Sequence, residues 1–388
     1  MAVDDFALEE LAGRQAAGLR RHLHQVNGAQ DRWITVDGRQ ALLLCSNNYL
    51  GLANHPALRA AAAKAASDLG VGAGASRLIS GSMRLHHELE ERLAVFKGTE
   101  AALLFNSGYQ ANIGTIATLV GPNDAVFSDE LNHASIIDGC RLSRAQVHVY
   151  PHSDVEVLAD LLARSSARRR LVVTDSIFSM DGDVAPLASI CEVAERYGAM
   201  LMVDEAHATG VLGPHGGGVV EAQGLQGRVT VQMGTLGKAL GSFGAFVAAR
   251  RPVIDLLINA ARSFIYTTAL PPPVVAAASA ALAIVEAEPD RRRRLADNAR
   301  SLHDGLTRLR LQVSPAPAHI MPVRIGDPHR AMALSEQLLA EGIFVQGIRP
   351  PTVPSGTARL RVTVMSTHTT RDIEFAVRAF QRVLAREG

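Results

Sequence analysis

Residues 200–248 read MLMVDEAHATGVLGPHGGGVVEAQGLQGRVTVQMGTLGKALGSFGAFVA. Three short apolar runs stand out: Met200 to Val203, Thr230 to Met233 and Gly244 to Ala248. Each is bounded by polar or glycine-rich turn signals and is too short for a buried helix, so each reads as a strand. Two of them end on chemistry. Asp204-Glu205-Ala206-His207 follows the first, and Gly234-Thr235-Leu236-Gly237-Lys238 follows the second. In open α/β sheets ligands gather beyond the carboxyl ends of strands, so these two ends mark the candidate site.

The same alternation extends outward on the N-terminal side. Apolar runs at Ala101 to Asn106, Asp124 to Ser128 and Leu171 to Thr174 are separated by helical stretches, and the helices Pro56 to Ser67 and Leu85 to Phe96 precede the first of them. Strands spaced by helices predict a mainly parallel sheet covered on both faces. This region, residues 46–287, is the expected large α/β domain. Residues 1–45 form an N-terminal arm, with a helix over Phe6 to His24 and an extended piece around Trp33 to Leu44. The stretch Glu286 to Arg294, with Pro289 and successive arginines, interrupts the apolar pattern. Residues 288–388 then read helix, strand (Ile320 to Ile325), helix (His329 to Ala340), two strands and a helix, a smaller C-terminal α+β domain.

Composition narrows the function classes. Of 388 residues 47% are hydrophobic and 20% charged, which excludes a disordered chain. Lys+Arg 39 against Asp+Glu 38 leaves a net charge of +1, no footprint for nucleic acid or an anionic membrane, and small molecules as the expected partners. The apolar run Val274 to Val285 falls far short of the ~20 residues that cross a bilayer. Acids at Asp4, Asp5, Glu9 and Glu10 do not fit a secretory leader. Cys45, Cys140 and Cys191 form neither a disulfide framework nor a zinc pattern, and no metal set is expected from the histidines. A cytoplasmic protein is the expectation.

Of the 39 basic residues only Lys64, Lys97 and Lys238 are lysine. Lys64 lies on an alanine-rich helix where a solvated position is expected. Lys97 precedes Gly98 at a helix end, where a cation suits the dipole. Lys238 instead sits among Gly234, Gly237 and Gly241. An arginine cannot form a Schiff base, so a lysine kept here points to a need for the amine. A P-loop is excluded because Gln232 and Ala239 stand where glycine and Ser/Thr are required, and no G-x-S-x-G elbow exists. Taken singly, Asp204 reads as a turn or cap residue and Ser107-Gly108 as turn chemistry.

Together, Ser107-Gly108-Tyr109, Asp204-Glu205-Ala206-His207 and Gly234-Thr235-Leu236-Gly237-Lys238 resemble the pyridoxal-phosphate enzymes of fold type I, specifically the α-oxoamine synthases. The resemblance runs over almost the whole chain. Ser46 to Leu52 (SNNYLGL), Asn132 to Ser135 (NHAS) and Phe178 to Gly182 (FSMDG) are further marks of it. It implies an α/β transferase fold, with a mainly parallel seven-stranded sheet in the large domain and a smaller α+β domain.

The resemblance also implies roles. Lys238 would hold pyridoxal 5'-phosphate as a Schiff base and, as a free amine, take the Cα proton. Asp204 would keep the pyridine nitrogen protonated, and His133 would stack on the ring and reach the acyl group. His207 and Ser179 would bond the phenolic-oxygen side. Ser107, Gly108, Tyr109 and Thr235 would surround the phosphate or ring, and Thr267 and Thr268 of a second subunit would add a phosphate contact, which implies a homodimer with a shared active site. Arg361, helped by Asn47, would pair with the α-carboxylate of the amino acid. Arg349, Thr352 and either Arg20 or Arg21 would serve a distal carboxylate or the acyl carrier.

Two branches of the family compete. Asn48, Ser135 to Gly139 and Gly234 to Leu240 resemble members that acetylate glycine. Ile348 to Pro354 (IRPPTVP), continuing to Arg361, resembles members that join L-alanine to a pimeloyl thioester, carried by coenzyme A or by acyl-carrier protein, in biotin biosynthesis. The second set weighs more, because this segment is expected to face the acyl chain and the substrate carboxylates. A non-catalytic cofactor-binding partner subunit could dispense with the lysine, so Lys238 with Asp204 and His133 argues against it.

Overall fold

The structure is a computed structural model that describes residues 4–316 and 318–386. The expected arm and C-terminal domain also include residues 1–3, 317, 387 and 388, which lie outside the described residues. The chain divides into two units. The larger takes Asn47–Ser179 and Asp183–Arg292, and the smaller takes the chain up to Ser46, Met180–Gly182 and the chain from Arg293 on. Met180–Gly182 joins the smaller unit through packing that no linear reading supplies. The Arg359 Nη1 donates to the Met180 carbonyl at 3.1 Å. At Gly182, φ is +72° and a Cβ would stand 2.2 Å from the Ile320 carbonyl oxygen, so only glycine fits there.

In the smaller unit, strands β1 (Val26–Asn27), β2 (Trp33–Val36) and β3 (Arg39–Leu43) form an antiparallel ribbon. The helix before them spans Asp5–Ala16, shorter than the expected Phe6 to His24. It buries no residue, so no packing extends it, and the chain turns away at Gly18, where φ is +67°.

The larger unit carries the seven-stranded sheet. Its strands are β4 (Ala101–Phe105), β5 (Ala125–Asp129), β6 (Gln146–Tyr150), β7 (Arg170–Asp175), β8 (Met200–Asp204), β9 (Val231–Thr235) and β10 (Ala245–Ala249). Their order is β4-β10-β9-β8-β7-β5-β6. β10 runs antiparallel to both neighbours, and the pairs β9-β8, β8-β7, β7-β5 and β5-β6 are parallel. The central strands are buried at almost every position, as the uninterrupted apolar runs predict. Val126, Leu171, Val173, Met202, Val231 and Val247 meet in one core cluster. β6 is absent from the expected strands because its sequence, QVHVY, offers no apolar run: it is an edge strand that buries only Tyr150.

The helices obey local signals. Pro56 opens the helix Pro56–Leu69, and Gly98, left-handed at φ +66°, closes the helix Arg84–Lys97. Farther along, β11 (Ile320–Gly326), β13 (Gln346–Ile348) and β14 (Ala358–Thr363) form a second sheet of the smaller unit in the order β11-β14-β13, while β12 (Ile343–Phe344) pairs in parallel with β3. The last helix, Thr370–Ala385, starts at a capping box in which Thr369 and Asp372 satisfy each other's backbone amides.

Candidate active site

The parallel strands of the larger unit bring their carboxyl ends to one edge of the sheet, and that edge collects most of the predicted residues. β8 ends on Asp204, which lies in register with Asp175 at the end of β7. β9 ends on Thr235, and the turn beyond it carries Lys238. β5 leads into Asn132 and His133, and β4 leads into Ser107.

Lys238 begins a relay. Its half-buried Nζ lies 2.8 Å from His207 Nε2, and His207 Nδ1 lies 2.7 Å from the hydroxyl of the buried Tyr49. That hydroxyl donates to Asn47 Oδ1 at 3.0 Å. The imidazole of His207 thus bridges the lysine amine and the Tyr49 hydroxyl. Thr235 Oγ1 shapes the same turn, donating to the Gly244 carbonyl at 3.0 Å and accepting the Gly237 amide at 3.2 Å.

Asp204 is buried and its carboxylate is fully engaged on the protein side. Asn112 Nδ2 donates to Oδ2 at 2.8 Å and to Ser135 Oγ at 2.9 Å, while the Ala206 amide donates to Oδ1 at 2.9 Å. His133 caps the helix Ala134–Ser143, its Nδ1 lying 2.7 Å from Ser135 Oγ. The residue stays open to solvent, yet the protein atoms around its imidazole remove enough water to lower its pKa; Asp204 opposes that shift and Lys238 adds to it. His133 therefore lies within electrostatic reach of both the carboxylate and the amine.

Asp175 had no role in the sequence reading, although it was visible as a strand end. Its Oδ2 accepts the His133 backbone amide at 2.8 Å, and its own amide donates to Asn132 Oδ1 at 2.9 Å. Burial first and the neighbouring Asp204 second push the Asp175 pKa well above its ordinary value. Asn112 and Tyr49 were also passed over. The signal for Asn112 was its place one turn after Gly108, on the same helix face.

A second binding element faces this edge at the start of the helix Gly108–Leu119. Ser107 is its N-cap: its Oγ accepts the Gln110 amide at 3.1 Å and its carbonyl accepts the Ala111 amide. The first-turn amides of Gly108 and Tyr109 have no acceptor inside the helix, the arrangement that holds anions. A Cβ on Gly108 would meet the end of the Met233 side chain in ordinary contact, Cε at 3.6 Å and Sδ at 4.0 Å. Glycine here relieves no clash; it leaves room for a ligand to approach the backbone. Tyr109 is exposed, and its hydroxyl donates to Asp138. Thr267 and Thr268 lie beside this element within the same chain: Asn106 Nδ2 donates to Thr267 Oγ1 at 3.3 Å and to the Thr268 carbonyl at 2.7 Å. Ser179 follows Phe178 in the turn after β7.

The remaining predicted residues belong to the smaller unit. Arg361 is buried on β14, paired in register with Gln346 and Pro322. Arg21, Arg349 and Thr352 line a cleft of about 400 Å³ together with Arg20, Met332 and Phe344. Arg21 Nη2 donates to Thr352 Oγ1 at 3.3 Å, whereas Arg20 offers its carbonyl to Arg349. Both Arg20 and Arg21 line the cleft, and it is the Arg21 guanidinium that reaches Thr352. Burial, and secondarily Arg21, lowers the Arg349 pKa, a strain that an anion in the cleft would relieve.

The sequence profile of the aminotransferase class I and II family matches residues 39–380. The 8-amino-7-oxononanoate synthase of Geotalea daltonii is 54% identical over 379 residues, covering 97% of this chain and 96% of its own. Among solved structures, SPT with its PLP internal aldimine superimposes with a TM-score of 0.94 at 34% identity, covering 99% of this chain and 98% of that one. The 8-amino-7-oxononanoate synthase of Francisella tularensis gives a TM-score of 0.76 at 29% identity, over 89% and 98%. The chain belongs to the aminotransferase class I and II family, among the α-oxoamine synthases that its motifs resemble.

Proposed function

We propose that the chain joins L-alanine to a pimeloyl thioester, releasing the thiol and CO₂ and forming 8-amino-7-oxononanoate. The observation that carries the reading is the likeness to synthases of that name at 50–56% identity over nearly the whole chain. The larger unit offers the three groups that pyridoxal phosphate needs: an amine, a buried carboxylate and a helix N-terminus with open amides. The residues fit the cofactor.

When bound, pyridoxal phosphate supplies an electron sink for the pair left on the alanine Cα. The chain's own groups supply the rest. Lys238 takes the Cα proton on Nζ, and the His207-Tyr49-Asn47 relay orients that amine. Asp204 holds a proton at the pyridine nitrogen, and its bonds from Asn112 and Ala206 fix the carboxylate for that task. The Gly108 and Tyr109 amides, with Ser107 and Thr235, serve the phosphate; Ser179 and His207 serve the phenolic oxygen, and His133 the ring face. Thr267 and Thr268 are assigned to the phosphate of a second copy in a cytoplasmic homodimer. Arg361 with Asn47 takes the α-carboxylate of alanine, and Arg21, Arg349 and Thr352 take the far end of the acyl donor, whether coenzyme A or acyl-carrier protein brings it. A new bond joins Cα to the acyl carbon as the C–S bond breaks; the Cα–carboxylate bond then breaks, and a proton returns to Cα.

Steady-state rates with L-alanine, glycine and L-serine, each against pimeloyl, acetyl and palmitoyl thioesters, test this. L-Alanine with the pimeloyl thioester should give the highest kcat/KM. A higher value for glycine with acetyl-CoA, or for L-serine with the palmitoyl thioester, would reject the substrate assignment.

A further inference from the structure

His152 follows β6, and both of its ring nitrogens meet carboxylates. Nδ1 lies 3.1 Å from Asp129 Oδ1, and Nε2 lies 2.7 Å from Asp183 Oδ2. An ionised carboxylate only accepts, so both nitrogens donate and the ring is an imidazolium. The two carboxylates, Asp129 first, raise its pKa to about 10. Its edge also packs on the Phe178 ring, with centroids 4.4 Å apart and planes at 89°. Other titratable groups nearby are Glu130, whose Oε1 accepts the His152 backbone amide at 2.9 Å, and Asp175, whose pKa Asp129 helps to raise.

The two carboxylates belong to different loops. Asp129 ends β5 and, buried, shapes the turn to His133: its Oδ1 accepts the Leu131 amide at 2.9 Å and its Oδ2 the Ser153 amide at 2.8 Å. Asp183 closes the loop after β7, where its carbonyl accepts the Phe178 amide at 3.1 Å and Ile177 bridges to Val184. One cation therefore ties the loop that carries His133 to the loop that carries Phe178 and Ser179.

We propose that His152 is a positioning residue of the cofactor site: its ring staples the β5 and β7 loops together and so fixes where His133 and Ser179 stand toward pyridoxal phosphate. The inference rests on the function proposed above. Cofactor-stripped protein titrated with pyridoxal phosphate by visible absorbance gives the first readout. His152→Gln should weaken cofactor binding about tenfold, the loss expected for one charge-assisted bond, and should lower kcat while the KM for the thioester holds. Asp183 is partly exposed, so Asp183→Ala cuts one arm of the staple without emptying the core. It should weaken binding several-fold, and Asp183→Glu should restore most of it. Ring-nitrogen NMR of ¹⁵N-histidine protein, without cofactor, gives a second readout: His152 should remain doubly protonated at pH 8. A neutral ring at pH 8, or wild-type cofactor affinity and spectrum in both His152→Gln and Asp183→Ala, overturns the proposal. A wild type that takes no pyridoxal phosphate sinks the function proposed above and this inference with it; binding in the wild type that the variants leave untouched sinks only the inference.

Discussion

Lys97 and Lys238 are the same residue in two pockets of one unit, and the pockets ask different things of it. The Lys97 side chain is wholly buried; its ammonium donates to the Glu205 carboxylate and the Gly217 carbonyl, and Glu205 also accepts the Val220 amide at 2.9 Å. The space is tight: a Cβ on Gly218 would come within 2.5 Å of the Glu205 carboxylate oxygens. A compact ammonium suits such a site, and the larger guanidinium does not. Lys238 is half-buried and its Nζ meets an imidazole nitrogen. The rarity of lysine in an arginine-rich chain therefore has two causes, and rarity alone does not mark chemistry. Placement beyond a strand end, against His207, is what separates the reactive candidate from the structural one. The sequence reading of Lys97 as a cation at a helix end holds for the backbone and misses the burial of its amine.

The sharpest way to break this contrast is Lys238→Ala. Turnover should fall by a factor on the order of 10³ or more, and borohydride should trap no cofactor on the chain, while denaturant unfolding stays close to wild type. Cofactor still trapped covalently in that variant would reject the assignment. The mirror experiment is Lys97→Met. Leaving Glu205 buried without its cation should cost about 3–5 kcal/mol in urea unfolding, and Lys97→Met with Glu205→Gln should recover much of that loss. If Lys97→Met unfolds like wild type but loses turnover, the roles of the two lysines have been misread.

Arg361→Lys asks whether the shape of a cation matters where charge is kept. The KM for L-alanine should rise about tenfold or more, because an ammonium cannot make the paired bonds of a guanidinium, and the KM for the thioester should stay put; equal changes in both would remove the carboxylate role. Lys64→Ala is the control of smallest expected effect. Lys64 is exposed and pairs with Asp68 across one helical turn, so neither the melting temperature nor the activity should move measurably.

Much of this molecule was legible in its sequence, and the exceptions have physical causes. Uninterrupted apolar runs marked the central strands, because strands buried on both faces admit little else. The polar residues after those runs marked the candidate site, because a parallel sheet sends its carboxyl ends to one edge. Ser107 and Gly98 marked helix ends through bonds made within a few residues. β6 was illegible because an edge strand needs no apolar run, and the arm helix was overdrawn because it buries none of its residues.

What the tertiary structure alone decided is partnership. Asn112 on Asp204, Asp175 under His133, Glu205 on Lys97, and Met180–Gly182 held by Arg359 and Ile320 all join residues far apart in the chain. Local periodicity records which face a side chain takes. It does not record the order in which strands enter a sheet, and that order determines which of those faces meet.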